Sequence, residues 1–168
     1  DRTSLPPQAL AALEAFRLAR EYGGLSSILV DEFVDRLGAS PISAATREDS
    51  RIAYLAGLYG PPREAVFAAG LARASRSDLD LLDRFPRSAW IFLFHRNGYI
   101  REAALGSLKE PPPMPFFLAA LALRMNDWVL PVRQAAAYRF RTLSDCIQAE
   151  LVAVLLVSED LGVAAPMG

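Results

Sequence analysis

The sequence predicts an all-α fold of about four stacked helix pairs. Apolar residues recur at helical spacing along most of the 168 residues. A short pattern also recurs, because the segment Ile100–Leu105 aligns with the segment Val132–Ala137, and the two copies begin at positions 100 and 132. Periods of roughly 20 to 50 residues are typical of stacked repeats, and 168 residues are enough for about four two-helix repeats of roughly 34 to 45 residues each. We therefore expect residues 1–168 to form a single helical-repeat domain.

Helix boundary signals can be followed in order through the first half of the chain. They predict a first helix opened by Pro6-Pro7 and ended by Gly23-Gly24, and a second from Ser27 to Leu37. A third helix is expected to be capped by Thr46 with Asp49 and ended by Gly60-Pro61. A fourth is started by Pro62, and a short fifth, capped by Ser77 and Asp78, reaches Arg84.

The second half begins with an ambiguous apolar run. Ala89–Phe94 fits a buried strand or a buried helix equally well. We predict a helix capped by Ser88, because a lone strand would leave its backbone groups without partners. The next helix is expected to follow the Asn97-Gly98 turn, and another to run from Pro115 to Met125 after the Pro111–Pro113 connector. A further helix is expected to start near Leu130, and a last one to be capped by Ser144.

The segment Asp127–Leu143 gives the clearest helix prediction. Pro131 suits a first turn, and the carboxylate of Asp127 is expected to cap the free amides. This segment resembles the second helix of a HEAT repeat, through Asp127, Val132-Arg133 and Ala135-Ala136. The resemblance implies a right-handed α-α superhelix, in which an Asp and the Arg six residues later form a ladder between repeats. It is strongest over residues 84–158, although His95 stands where the earlier copy should have its Asp.

Composition excludes several classes of protein. A hydrophobic content of 52% and a net charge of −1 exclude a disordered tail protein. One cysteine and one histidine leave no disulfide framework and no zinc cluster, so we expect no metal and no cofactor. The longest apolar runs, such as Leu151–Val157, are too short to span a bilayer, so no membrane partner is expected. The preference for arginine over lysine indicates a GC-rich bacterial genome, and we expect a cytoplasmic protein.

Charge is distributed unevenly. Residues 84–143 contain 9 basic and 3 acidic residues, whereas residues 1–83 contain 9 and 12. Second helices of stacked repeats usually line a concave surface, and aromatic and basic residues there favour a groove for phosphate or acidic peptide. The candidate binding residues are Arg101, Arg139, Arg141, Tyr99 and Trp128, with Tyr138 nearby. Asp127 and Arg133 are expected to form a ladder pair instead.

The remaining reactive groups have structural interpretations. His95 is expected to be a structural hydrogen-bonding group and Cys146 a packed thiol, so no catalytic residue is assigned. Asp31, Glu32 and Asp35 form an acidic helical face that can meet the basic middle of another molecule. The apolar C-terminal helix predicts a contact with further repeats or a second copy.

Three functions fit these features. The first is a non-enzymatic module that binds a protein partner on its concave face, since the chain lacks a glycine-rich phosphate loop and triad spacing. The second is DNA binding through residues 84–143. The third is an enzyme similar to the HEAT-like alkylpurine DNA glycosylases, for which Trp90, Trp128 and Asp127 supply the residue types.

Overall fold

The computed structural model describes residues 4–59 and 77–143, and the regular secondary structure of these two ranges is helical throughout. The helices are α1 Pro7–Glu21, α2 Ser27–Gly38, α3 Ala44–Arg47, α4 Asp49–Leu55, α5 over residues 77–84, α6 Ala89–Phe92, α7 Gly98–Ser107, α8 Pro115–Arg124 and α9 Leu130–Thr142, with a 3-10 turn at Pro86–Ser88 before α6. The all-α prediction is confirmed for the described residues. The ambiguous run from Ala89 is helical, as expected.

Several predicted helix boundaries are wrong. The predicted start of α2 at Ser27 is confirmed, and the hydroxyl of Ser26 caps this helix by accepting the amide of Leu29 at 3.3 Å. The hydroxyl of Thr46 donates to the carbonyl of Ser43 inside α3, so Thr46 and Asp49 form no capping box. The hydroxyl of Ser88 caps nothing. The helix predicted to run to Tyr59 ends at Leu55, because Gly57 takes a left-handed φ of +67° just after α4, and the separate short helix α3 ends before it at Arg47. The helices predicted from Pro62 and from Ser144 lie outside the described residues, as does Cys146.

The recurring sequence pattern corresponds to two helices that lie side by side. Gly98, at the start of α7, packs against Val129, just before α9. At the other end, Arg139 donates to the carbonyl of Leu105. Since start meets start and end meets end, α7 and α9 run parallel. Equivalent positions of the pattern, Ile100 and Val132, are both fully buried.

The N-terminal part of the chain packs against α8 as well as against its sequence neighbours. Helix α3 contacts α8, and Gly38 lies so close to Met114 and Phe117 that a Cβ there would clash with both side chains. In a strictly linear repeat stack, each unit contacts only adjacent units. The described helices share one apolar core, to which both α3 and α8 contribute.

Candidate binding surface

A buried ion pair joins the two repeated helices. Asp127 lies in the turn between α8 and α9, and its carboxylate accepts Nη2 of Arg101 at 2.7 Å and Nε at 2.9 Å. Arg101 is on α7, and the exposed fraction of each residue is 6% or less. Nη1 of Arg101 also donates to the carbonyls of His95 and Arg96, at 2.7 and 3.0 Å. One guanidinium therefore fixes both the turn before α7 and the turn before α9.

The same carboxylate binds a second arginine, which links it to the N-terminal half. Arg124 donates Nη1 to Asp127 at 3.1 Å and Nη2 to Asp49 at 2.6 Å. Burial lowers the pKa of Arg124, although the carboxylates of Asp49 and Asp127 oppose this effect. For Asp127, burial favours the neutral form, but the hydrogen bonds from Arg101 and the amide of Val129, with the two guanidinium charges, hold its pKa below 3.8.

The carboxylate of Asp127 does not pair with Arg133, the partner expected from the sequence spacing. Arg133 is exposed, and its Nη1 donates to the backbone carbonyl of Asp127 at 3.1 Å. The carboxylate is paired instead with Arg101 of the preceding unit. The expected cap is partly present, since the carboxylate accepts the Val129 amide at 3.0 Å. An Asp–Arg link between units therefore exists, but the Arg comes from the earlier copy of the pattern.

A second buried carboxylate, which the sequence did not single out for this role, holds His95. Asp78 accepts Nε and Nη2 of Arg20 at 2.9 and 3.0 Å, and it lies 3.1 Å from Nε2 of His95. Nδ1 of His95 accepts the amide of Asn97 at 2.9 Å, so Nε2 carries the proton donated to Asp78. His95 is thus a structural residue of the turn before α7. Arg20 and Asp78 are 58 positions apart, and no local pattern indicates their contact.

Much of the basic charge of residues 84–143 is used within the chain. Arg101 was expected on an exposed face, but it is buried at 3% exposure because Asp127 binds it. Arg139 donates to the carbonyls of Leu105 and Gly106 at the end of α7. Arg87 contacts two members of the acidic face of α2, at 3.1 and 3.2 Å. The acidic face therefore meets the basic middle of its own chain.

Two exposed aromatic side chains lie near the turns before α7 and α9. Trp128 is 83% exposed and Tyr99 is 62% exposed. Their neighbours Val129 and Gly98 are in contact, which places both aromatic residues at the same end of the helix pair. The candidate binding residues Trp128 and Tyr99 are therefore exposed, and so is Tyr138 on α9.

The residues Trp128 and Arg96 line one pocket. Its volume is about 340 Å³, and its lining is Asp49, Phe94, His95, Arg96, Arg101, Leu123, Arg124, Asn126, Asp127 and Trp128. The guanidinium of Arg96 lies over the ring of Tyr59 at 5.6 Å and donates to the hydroxyl of Ser50 at 3.2 Å. Tyr59 in turn meets Tyr54 edge to face at 5.9 Å. We call Tyr54, Tyr59, Arg96, Tyr99 and Trp128 the aromatic edge.

A larger groove of about 500 Å³ lies between α5, the 3-10 turn and the end of α7. Its charged lining residues are two of each sign: Asp83, Arg87, Lys109 and Glu110. The groove therefore has no net charge that would select a ligand.

No family model, curated protein or solved structure matches this chain. Over residues 4–59 and 77–143, no helix has the length and apolar character needed to cross a membrane. Within the same ranges, no three His, Cys, Asp or Glu side chains are grouped so that they could hold a metal ion.

Proposed function

We propose that this chain is a non-enzymatic helical-repeat interaction module of the HEAT-like kind, and that it binds a protein partner through the aromatic edge and the adjoining faces of α7 and α9. The observation that carries the proposal is the exposure of Trp128, at 83%, beside Tyr99 at 62%. Tryptophan, tyrosine and arginine are the residue types that contribute most of the binding energy at protein interfaces.

The link between units supports the repeat-like part of the proposal. Parallel neighbours α7 and α9 are joined by Arg101 and Asp127, a residue pair of the kind expected for the ladder of a solenoid. The same two residues fix the turns before α7 and α9, since Arg101 donates to the carbonyls of His95 and Arg96 and Asp127 accepts the amide of Val129. The partner surface we propose therefore includes these turns as well as the adjoining helices.

The arrangement of charge favours a protein partner over a nucleic acid. Tight binding to DNA requires several cations that are available to phosphates. Arg101 and Arg139, two of the candidate residues, are bound to a carboxylate and to backbone carbonyls, respectively.

The residues named for a glycosylase have structural contacts. Trp90 is buried against Phe117. Asp127 accepts four hydrogen bonds, which suits a structural role.

Site-specific photocrosslinking in the cells that make the protein tests this proposal. A photoreactive phenylalanine analogue in place of Tyr99 should crosslink to a discrete protein. Trp128→Ser in the same chain should reduce that crosslink by more than tenfold, because loss of an interface anchor costs about 2 kcal/mol or more. Tyr22→Ser is the matched control, since Tyr22 is 82% exposed and lies beyond the end of α1; it should leave the crosslink unchanged.

Two results would overturn the proposal. One is a crosslink whose yield is the same with Trp128→Ser as with Tyr22→Ser. The other is crosslinking to nucleic acid, supported by a fluorescence titration with short DNA whose affinity falls steeply as salt rises.

A further inference from the structure

The pocket beneath the aromatic edge combines a neutralised floor with one cation at its mouth. Three guanidinium groups and two carboxylates line it. Arg101 and Arg124 bind Asp127, and Arg124 also binds Asp49, so the floor is internally paired. Within the described part of the chain, Arg96 has no carboxylate partner, and this leaves the lining with one excess positive charge.

Arg96 is held in place although it is exposed. The ring of Tyr59 lies beneath its guanidinium, and the hydroxyl of Ser50 accepts from its Nη1. The backbone of Arg96 is also held in place. The amide of Arg96 donates to the carbonyl of Leu58 at 3.0 Å, and the carbonyl of Arg96 accepts from Arg101. A guanidinium fixed in this way loses little conformational entropy when it binds a carboxylate.

The rest of the mouth offers an apolar surface and neutral hydrogen-bonding groups. Trp128 supplies an indole face, and Asn126 supplies an amide. A pocket of about 340 Å³ lies at the lower end of the usual size range for small ligands, so it has room for about one or two side chains. This size suits a peptide segment better than a run of phosphates, which needs a cationic track.

We infer that this pocket recognises an acidic peptide segment of the partner, in which a carboxylate binds Arg96 and an adjacent large apolar side chain packs against Trp128. This inference rests on the proposed function and specifies the chemistry of the partner. The carboxylate would make charge-assisted hydrogen bonds to the guanidinium, and the paired floor would supply shape without competing for the acid.

A phage-displayed library of random dodecapeptides is the probe, selected on the purified full chain. Enriched peptides should carry Asp or Glu beside Leu, Ile, Phe, Tyr or Trp. Synthetic copies of these peptides should bind Trp128→Ser and Arg96→Glu at least about tenfold more weakly than the parent chain. Arg96→Glu should also bind Lys-substituted copies better than the acidic originals, because the sign of the recognising charge is reversed.

Arg84→Glu is the matched control, since Arg84 is likewise an exposed arginine over an aromatic ring, that of Phe85, at 5.2 Å. It should leave the affinity of the acidic peptides unchanged. The inference is overturned if no peptide is enriched, if the enriched peptides lack acidic residues, or if Arg96→Glu and Arg84→Glu have equal effects. If any of these peptide results is obtained while the protein crosslink still depends on Trp128, the inferred preference for an acidic peptide is refuted and the proposed function stands. If no such crosslink forms, the proposed function fails as well.

Discussion

Replacing Arg101 tests the ion pair on which the architecture depends. Arg101 is 3% exposed and donates two hydrogen bonds to Asp127 and two to backbone carbonyls, of which only the one to Arg96 is partly exposed. Removing one partner of a buried pair costs about 3 to 5 kcal/mol of unfolding free energy. We expect Arg101→Met to cost about 3 kcal/mol, at the lower end of this range, because Asp127 keeps its contacts with Arg124 and the Val129 amide.

Arg133→Met provides the comparison, because Arg133 is the partner that sequence spacing predicted. Within residues 4–59 and 77–143, its side chain donates one hydrogen bond, to the backbone carbonyl of Asp127, and it is exposed, so we expect a loss below about 1 kcal/mol. Urea unfolding followed by circular dichroism measures both losses. For a chain of this size, a loss of about 3 kcal/mol corresponds to a fall in Tm of about 6 to 12 °C.

A double-mutant cycle with Asp127→Asn separates pairing from general damage. The coupling free energy should be about 2 kcal/mol for Asp127 with Arg101 and below about 0.5 kcal/mol for Asp127 with Arg133. Equal couplings, or a larger one with Arg133, would refute the register described above. If Arg101→Met fails to fold, Arg101→Lys takes its place in the cycle, since lysine keeps the charge but lacks the bidentate fork.

Two further predictions concern the same pair of helices. The pKa of Asp127 is lower in the folded chain than its ordinary 3.8, so ionisation of Asp127 stabilises the fold above that pH, and this contribution is lost as pH falls through the folded-state pKa. When Tm is measured from neutral pH into acid, it should therefore fall less steeply for Asp127→Asn than for the parent chain. Parallel curves for the two proteins would contradict this prediction. Gly98→Ala should cost about 1 to 3 kcal/mol in urea unfolding, because the new Cβ would lie 2.9 Å from Cγ2 of Val129. Gly106→Ala, on the same helix with no atom within 4 Å of its Cβ, should instead raise stability by up to about 1 kcal/mol, and a loss there as large as that at Gly98 would show that close packing is not the cause.

The sequence determined the helices whose signals are local. Pro131 near the start of α9 and the Asn97-Gly98 turn before α7 act within a few residues of themselves, and both helices begin where these signals predicted. Apolar spacing also identified equivalent buried positions in α7 and α9, such as Ile100 and Val132, because side chains three and four residues apart share a helix face.

Only the tertiary structure decided which charged groups meet. Arg101 and Arg133 occupy the same position in the recurring pattern, yet one is buried in an ion pair and the other is exposed. A carboxylate such as Asp127 pairs with whichever guanidinium the packing of separate helices brings within hydrogen-bond distance. That choice depends on contacts between residues far apart in the chain, as in the pair of Arg124 with Asp49, and local spacing carries no information about it.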